Sequence, residues 1–124
     1  VSAVLTLSLA AFSAAPVLAG TPCAVWSGTP VTDGNYMWAN SYIDCPTNPV
    51  SDWIKGELVE SFGPFAFTRD DCINNANNSS QHSCQTYYYC NGHGTDDWFE
   101  KSKGRDADGG ESVWIEGAHV SRTC

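Results

Sequence analysis

The stretch Cys84-Gln85-Thr86-Tyr87-Tyr88-Tyr89-Cys90 decides how the rest of the chain is read. Thr and Tyr favour a pleated, half-buried backbone over a helix, so the run is expected to be a strand. Extended, the six steps from Cys84 to Cys90 cover roughly 20 Å at about 3.3 Å per residue. A disulfide needs its Cα atoms within about 7 Å, so these two cysteines do not bond each other. Their even separation places both on one face with Thr86 and Tyr88, while Tyr87 and Tyr89 point the opposite way. Disulfide sulfurs are normally buried. The cysteine face is therefore expected to be the core face, with Tyr87 and Tyr89 on the surface.

Four more cysteines (Cys23, Cys45, Cys72 and Cys124) make an even total of six. Six cysteines allow fifteen pairings, and excluding Cys84–Cys90 leaves twelve. We favour Cys23–Cys45, Cys72–Cys84 and Cys90–Cys124, which close a hairpin-sized segment, clip an Asn-rich loop and tie down the C-terminus. Loop entropy gives each about 3–4 kcal/mol before strain. An even cysteine count in a small domain implies an oxidising compartment. The opening residues agree: from Val1 to Ala19 no residue is charged, and Val17-Leu18-Ala19 fits a signal-peptidase site. The stretch lacks an initiator Met and a basic segment, so the chain as written is read as starting inside the leader. Ser2, Thr6, Ser8, Ser13 and Pro16 interrupt it, which disfavours a membrane anchor. The expectation is a leader over residues 1–19, removed on secretion, and a single extracellular domain over 20–124.

Turn signals punctuate that domain at "SGTP" (27–30), "TDGN" (32–35), "CPTNP" (45–49), "FGP" (62–64) and "CNGHG" (90–94). The runs between them at 35–44, 53–62, 84–91, 97–101 and 112–120 have strand length and composition. In the first, Tyr36, Trp38 and Tyr42 share one face. The segment "SDWIKGELVESF" competes as a helix capped by Ser51, but Gly56 in its middle favours a strand with a kink there. The expected fold is all-β, a small disulfide-stabilised sandwich or barrel of five to seven strands.

Six basic residues face fourteen acids, a net charge of −8. Such a surface repels phosphate backbones, so general nucleic-acid binding is disfavoured. No C-x-x-C or H-x-x-x-H spacing points to zinc, and no metal or cofactor is expected. Asp106-Ala107-Asp108-Gly109-Gly110-Glu111 looks at first like a calcium loop. Position twelve from Asp106 is Gly117 rather than a bidentate Glu, so the segment reads as a turn. Asn77 and Asn78 each open a glycosylation triplet.

Two sets of residues compete for function. His93 lies between two glycines with Asp96, Asp97 and Glu100 close behind, and is expected to expose its ring. With His119, Glu116 and Arg122 it would supply the acid-base pair and anion clamp of a small secreted hydrolase such as a nuclease. Against this, no nucleophile motif occurs and all cysteines are expected in disulfides. The chain holds five Trp, five Tyr and five Phe. Tyr87 and Tyr89, exposed as a pair, suit recognition of a protein or sugar. The sequence therefore points first to a secreted monomer that acts by extracellular recognition, as an effector, toxin-like factor, inhibitor or sugar-binding module. A hydrolase using His93 and His119 is the alternative, and convergence of the two rings on one pocket would favour it.

Overall fold

The computed structural model describes residues 23–45, 52–75, 81–105 and 110–124. The expected leader, the start at Gly20, the turn at 46–49, the acceptors Asn77 and Asn78, and Asp106–Gly109 of the acidic turn lie outside the described residues. Among the described residues the chain is all-β. The strands are β1 (Ala24–Ser27), β2 (Val31–Asp33), β3 (Tyr36–Asp44), β4 (Trp53–Phe62), β5 (Phe65–Asn74), β6 (Gln81–Tyr89), β7 (Thr95–Arg105), β8 (Ile115–Glu116) and β9 (Val120–Thr123). They form two antiparallel sheets. In sheet A, β3 is central, with β1 and β2 on one edge and β6 on the other; sheet B runs β5-β4-β7, with β8 and β9 both pairing β7.

The run from Cys84 to Tyr89 belongs to β6, whose core face carries Cys84, Thr86 and Tyr88. The disulfides are Cys23–Cys45, Cys72–Cys84 and Cys90–Cys124, as favoured above. The segment 53–62 is strand, as expected. Three strands carried too little signal to be recognised: β1 and β2 are very short, and β5 mixes Phe with Arg and Asp. The expected strand over 112–120 is corrected. Within it Ser112 only donates its N–H to the Gly104 carbonyl at 2.9 Å, while Ile115–Glu116 and Val120 pair with β7 as strand. Between them Gly117 presses against Ser27, too close for a side chain, and donates its N–H to the Glu100 carbonyl at 2.8 Å. The expected kink at Gly56 is also misplaced. The irregularity falls between Leu58 and Val59, where Leu58 faces Asp70 and Val59 faces Thr68, so Arg69 is the extra residue of a bulge in β5.

The interior has two apolar halves. One gathers Val25, Ile43, Ile54 and Ile115 around Cys23–Cys45 and Cys84; the other gathers Met37, Ala39, Leu58 and Trp98 around Cys90. Between them runs a polar belt of buried Ser41, Thr86, Glu100 and Ser102. Gly56 makes room for it. A Cβ there would collide with Ser41 Oγ and Glu100 Oε2 and would lie 3.0 Å from Cys72 Sγ.

Because the atoms around Gly56 are fixed by a disulfide and by buried hydrogen bonds, Gly56→Ala should destabilise the domain by about 1–3 kcal/mol, the usual cost of overpacking. A lower urea midpoint under non-reducing conditions, with an unchanged m-value, is the expected reading.

Candidate functional site

The outer face of sheet A is built by two strands in register. Along β3 the outward residues are Tyr36, Trp38, Asn40 and Tyr42; opposite them on β6 stand Tyr89, Tyr87, Gln85 and Ser83. Alternation dictates this, because Met37, Ala39, Ser41 and Ile43 take the buried positions between. Tyr87 and Tyr89 are 47% and 52% exposed, whereas Tyr88 is half-buried against the core. Tyr36 stacks on Tyr87 with ring centroids 4.6 Å apart and meets Tyr89 edge-on at 5.2 Å. At the other end Trp26 of β1 stacks on Tyr42 at 5.4 Å. That end opens into a cleft of about 420 Å³ lined by Trp26, Tyr42, Asp44, Gln81 and Ser83. The sequence reading found Tyr87 and Tyr89 and noticed that Tyr36, Trp38 and Tyr42 share a face. It had no means of seeing that the two sets lie side by side, because strand pairing across some forty residues leaves no local mark.

His93 occupies a different place. Gly92 and Gly94 have φ of 87° and 78°, a left-handed backbone that glycine adopts without strain. The turn they form carries the His93 ring inward, not out to solvent. Nδ1 lies 2.8 and 3.1 Å from the two oxygens of Glu60, a residue left 1% exposed. Arg69, re-aimed by the β5 bulge, donates its Nε–H to Glu60 Oε1 at 2.8 Å and lies over the rings of Phe67 and Tyr88. Burial pushes the Glu60 carboxyl up, but hydrogen bonds from Asp96, His93 and Arg69 outweigh it and hold Glu60 below its ordinary value. Asp96 is raised, first by its hydrogen bond to Glu60 and then by burial and the Glu60 charge. The contact between the two carboxyls thus moves them in opposite directions. Glu60 and Arg69 were not legible in the sequence, since only the folded hairpin and its bulge bring them to His93.

The two-histidine arrangement is not formed. His93 packs beside Trp98, and His119 stacks flat on Phe99 at 4.0 Å. Trp98 and Phe99 are consecutive strand residues and face opposite sides of sheet B. His119 pairs with exposed Glu116 at 2.9 Å, and Arg122 donates its Nε–H to the Pro30 carbonyl at 3.1 Å. Of the carboxylates expected to orient His93, Asp96 belongs to its cluster. Asp97 alternates to the outer face, and Glu100 lies deeper, in the belt. Among the described residues no group of three or more His, Cys, Asp or Glu is placed to hold a metal ion, and no helix is long and apolar enough to cross a membrane.

Glu100 itself is fully buried. Thr86 Oγ1 donates to Glu100 Oε1 at 2.8 Å, and Ser41 Oγ lies 2.7 Å from Glu100 Oε2. Beyond Ser41 the oxygens of Ser102 and Ser27 follow at 2.6 Å each, and Ser27 donates to the Ile115 carbonyl at 2.8 Å. Ser102 donates to Ser41, and Ser41 in turn donates to Glu100 Oε2, so the hydroxyls of three strands converge on the carboxyl. Burial, opposed by the hydrogen bonds of Ser41 and Thr86, pushes this carboxyl up to about 7.

The outer face of sheet B differs in character. Lys55, Lys101, Lys103 and Arg105 all project from it by alternation along β4 and β7. Lys101 and Lys103 each pair with a carboxylate at 3.3 Å, from Glu57 and Glu111, and both lie over the Trp114 ring.

A scan against protein-family models, a search of curated proteins and a search of solved structures each find no match to this chain.

The raised Glu100 value has a definite sign. Folding favours the protonated form, so its contribution is complete below the ordinary value of 4.5 and is lost as pH rises through about 7. The contribution is on the order of 3 kcal/mol. Melting temperatures between pH 4 and 8 should fall toward the alkaline end, and Glu100→Gln, which keeps the neutral shape, should flatten that slope. An equal slope in both proteins would show that folding does not raise the Glu100 carboxyl.

Proposed function

We propose that this is a secreted, monomeric recognition protein, released after removal of residues 1–19, which binds an extracellular protein or carbohydrate through the outer face of sheet A. The observation that carries the reading is the stacked trio Tyr36, Tyr87 and Tyr89: three large rings held at the surface of a rigid sheet. A small domain ordinarily turns its large rings inward, so an exposed cluster needs an explanation beyond stability. Tyr and Trp are favoured at recognition surfaces because they give wide contact with few torsions to freeze. The sheet supports them well, since Cys72–Cys84 anchors β6 within its length and Cys90–Cys124 just beyond its end. Three disulfides also suit an oxidising, extracellular setting.

The hydrolase alternative loses its main support with the separation of His93 from His119. What remains at His93 is a cluster in which Arg69, His93 and Asp96 all satisfy Glu60, the pattern of a structural ion cluster.

The test is a screen of the oxidised protein against immobilised glycans and extracellular protein domains, beside the Tyr87→Ala/Tyr89→Ala variant. Wild type should bind at least one ligand saturably. The double variant should lose that ligand while melting within a few degrees of wild type, whereas Tyr88→Ala should melt markedly lower. A ligand retained in full by the double variant would place the binding surface elsewhere.

A further inference from the structure

We infer that the outer face of sheet A takes a neutral polysaccharide chain laid along β3 and β6; this rests on the recognition reading above and names its ligand class. Its first support is charge. Between Asp33 and Asp44 at the two ends, the outward positions of β3 and β6 hold only Tyr36, Trp38, Asn40, Tyr42, Ser83, Gln85, Tyr87 and Tyr89, none of them charged at neutral pH. The chain as a whole carries a net charge of −8. An acidic polymer would be repelled by the body of the domain and would meet no cation on this face. Single-stranded nucleic acid also stacks on aromatic ladders, but it requires a basic groove beside them, and the four clustered basic residues lie on the opposite sheet.

The second support is the order of side chains. Aromatic rungs stand at both ends, Tyr36, Trp38, Tyr87 and Tyr89 at one and Tyr42 with Trp26 at the other. In the middle Asn40 faces Gln85, a pair of side-chain amides in register. From Tyr36 to Tyr42 the ladder runs roughly 20 Å at about 3.3 Å per residue, long enough for several sugar rings. Rings offer flat apolar surfaces to the C–H faces of sugars, and amides both donate and accept, as sugar hydroxyls do. The core of a protein–protein interface is instead a compact apolar patch enriched in Arg as well as Tyr and Trp, and this face has no Arg and a polar centre. The cleft of about 420 Å³ beside Trp26 and Tyr42 gives the chain a deeper seat at one end.

The probes are insoluble chitin and cellulose, soluble β-glucan and its oligomers, with polygalacturonate and a single-stranded DNA oligomer as charged comparators. The variants are Tyr87→Ala/Tyr89→Ala at one end, Tyr42→Ala at the other and Gln85→Ala in the middle, each checked for intact disulfides and a native melting profile. The expected result is binding to a neutral probe that strengthens with oligomer length and that each variant weakens by at least about tenfold, equivalent to about 1.4 kcal/mol. If Tyr42→Ala fails to fold, Gln85→Ala, which removes only an exposed amide, still tests the extent of the ladder. Binding to polygalacturonate or DNA in preference to the neutral probes overturns the inference. So does a concentration-dependent dimer that Tyr87→Ala/Tyr89→Ala abolishes, which would make the face a contact between copies. Failure on all neutral probes, with a protein domain bound through Tyr87 and Tyr89, overturns the glycan class and leaves recognition standing. If no ligand of any class depends on these tyrosines, both fall.

Discussion

A buried carboxyl without a positive partner sets the terms for this sandwich. Glu100 sits between the two apolar halves, and nothing basic is hydrogen-bonded to it. An ionised carboxylate in that position would carry a desolvation penalty of several kcal/mol. Burial pushes the group toward its neutral form, and the chain surrounds it with hydroxyls from three other strands: Ser27 of β1, Ser41 of β3 and Thr86 of β6, joined by Ser102 of β7 itself. Apolar contacts tolerate sliding, whereas a chain of directed hydrogen bonds does not. The belt therefore fixes the register of sheet A over sheet B, and Gly56 is what leaves it space.

The same two sheets are clasped along the edge where β5 meets β6. Asp70, Cys72 and Asn74 alternate onto the inner side of β5, and each reaches β6: Asp70 accepts the Tyr87 N–H at 2.7 Å, Cys72 bonds Cys84, and Asn74 donates to the Ser83 carbonyl at 2.8 Å. One step beyond, the bulge turns Arg69 inward to Glu60. Side chains thus take the place of a backbone ladder that would have closed the sandwich into a barrel. They also cover strand edges that would otherwise invite pairing with another chain. The aromatic face rides on β6 and inherits this rigidity.

How much of this was legible follows from the range over which each feature is encoded. Cys84 to Cys90 carried its own geometry, because period two and the reach of a disulfide are local facts, and they assigned Tyr87, Tyr88 and Tyr89 to the correct sides. The segment from Trp53 to Phe62 was legible for a similar reason. The bulge at Arg69 was not, since a single unpaired residue is defined only by its partner strand. His93 was misjudged because two flanking glycines report backbone freedom, and freedom lets a ring turn inward as readily as outward. Glu100 drew notice only as a possible partner of His93. A lone Glu between Phe99 and Lys101 says nothing about the serines and threonine that gather from distant strands to receive it.

The distribution of charge sets the two outer faces of the sandwich apart. Arg69 is held by Glu60, Lys101 by Glu57, Lys103 by Glu111 and Arg122 by the Pro30 carbonyl, while Lys55 lies over the Trp53 ring. Cations engaged in this way are not preorganised to meet a ligand, and displacing them would cost part of the affinity gained. The sheet A face carries no such commitments. Its rings are already stacked on one another and its strands are locked by disulfides, so little conformational entropy is left to lose on binding. An uncharged ligand also avoids the long-range repulsion of an acidic protein. Affinity for it should accordingly change little with salt, in contrast to any contact made through the lysines of sheet B.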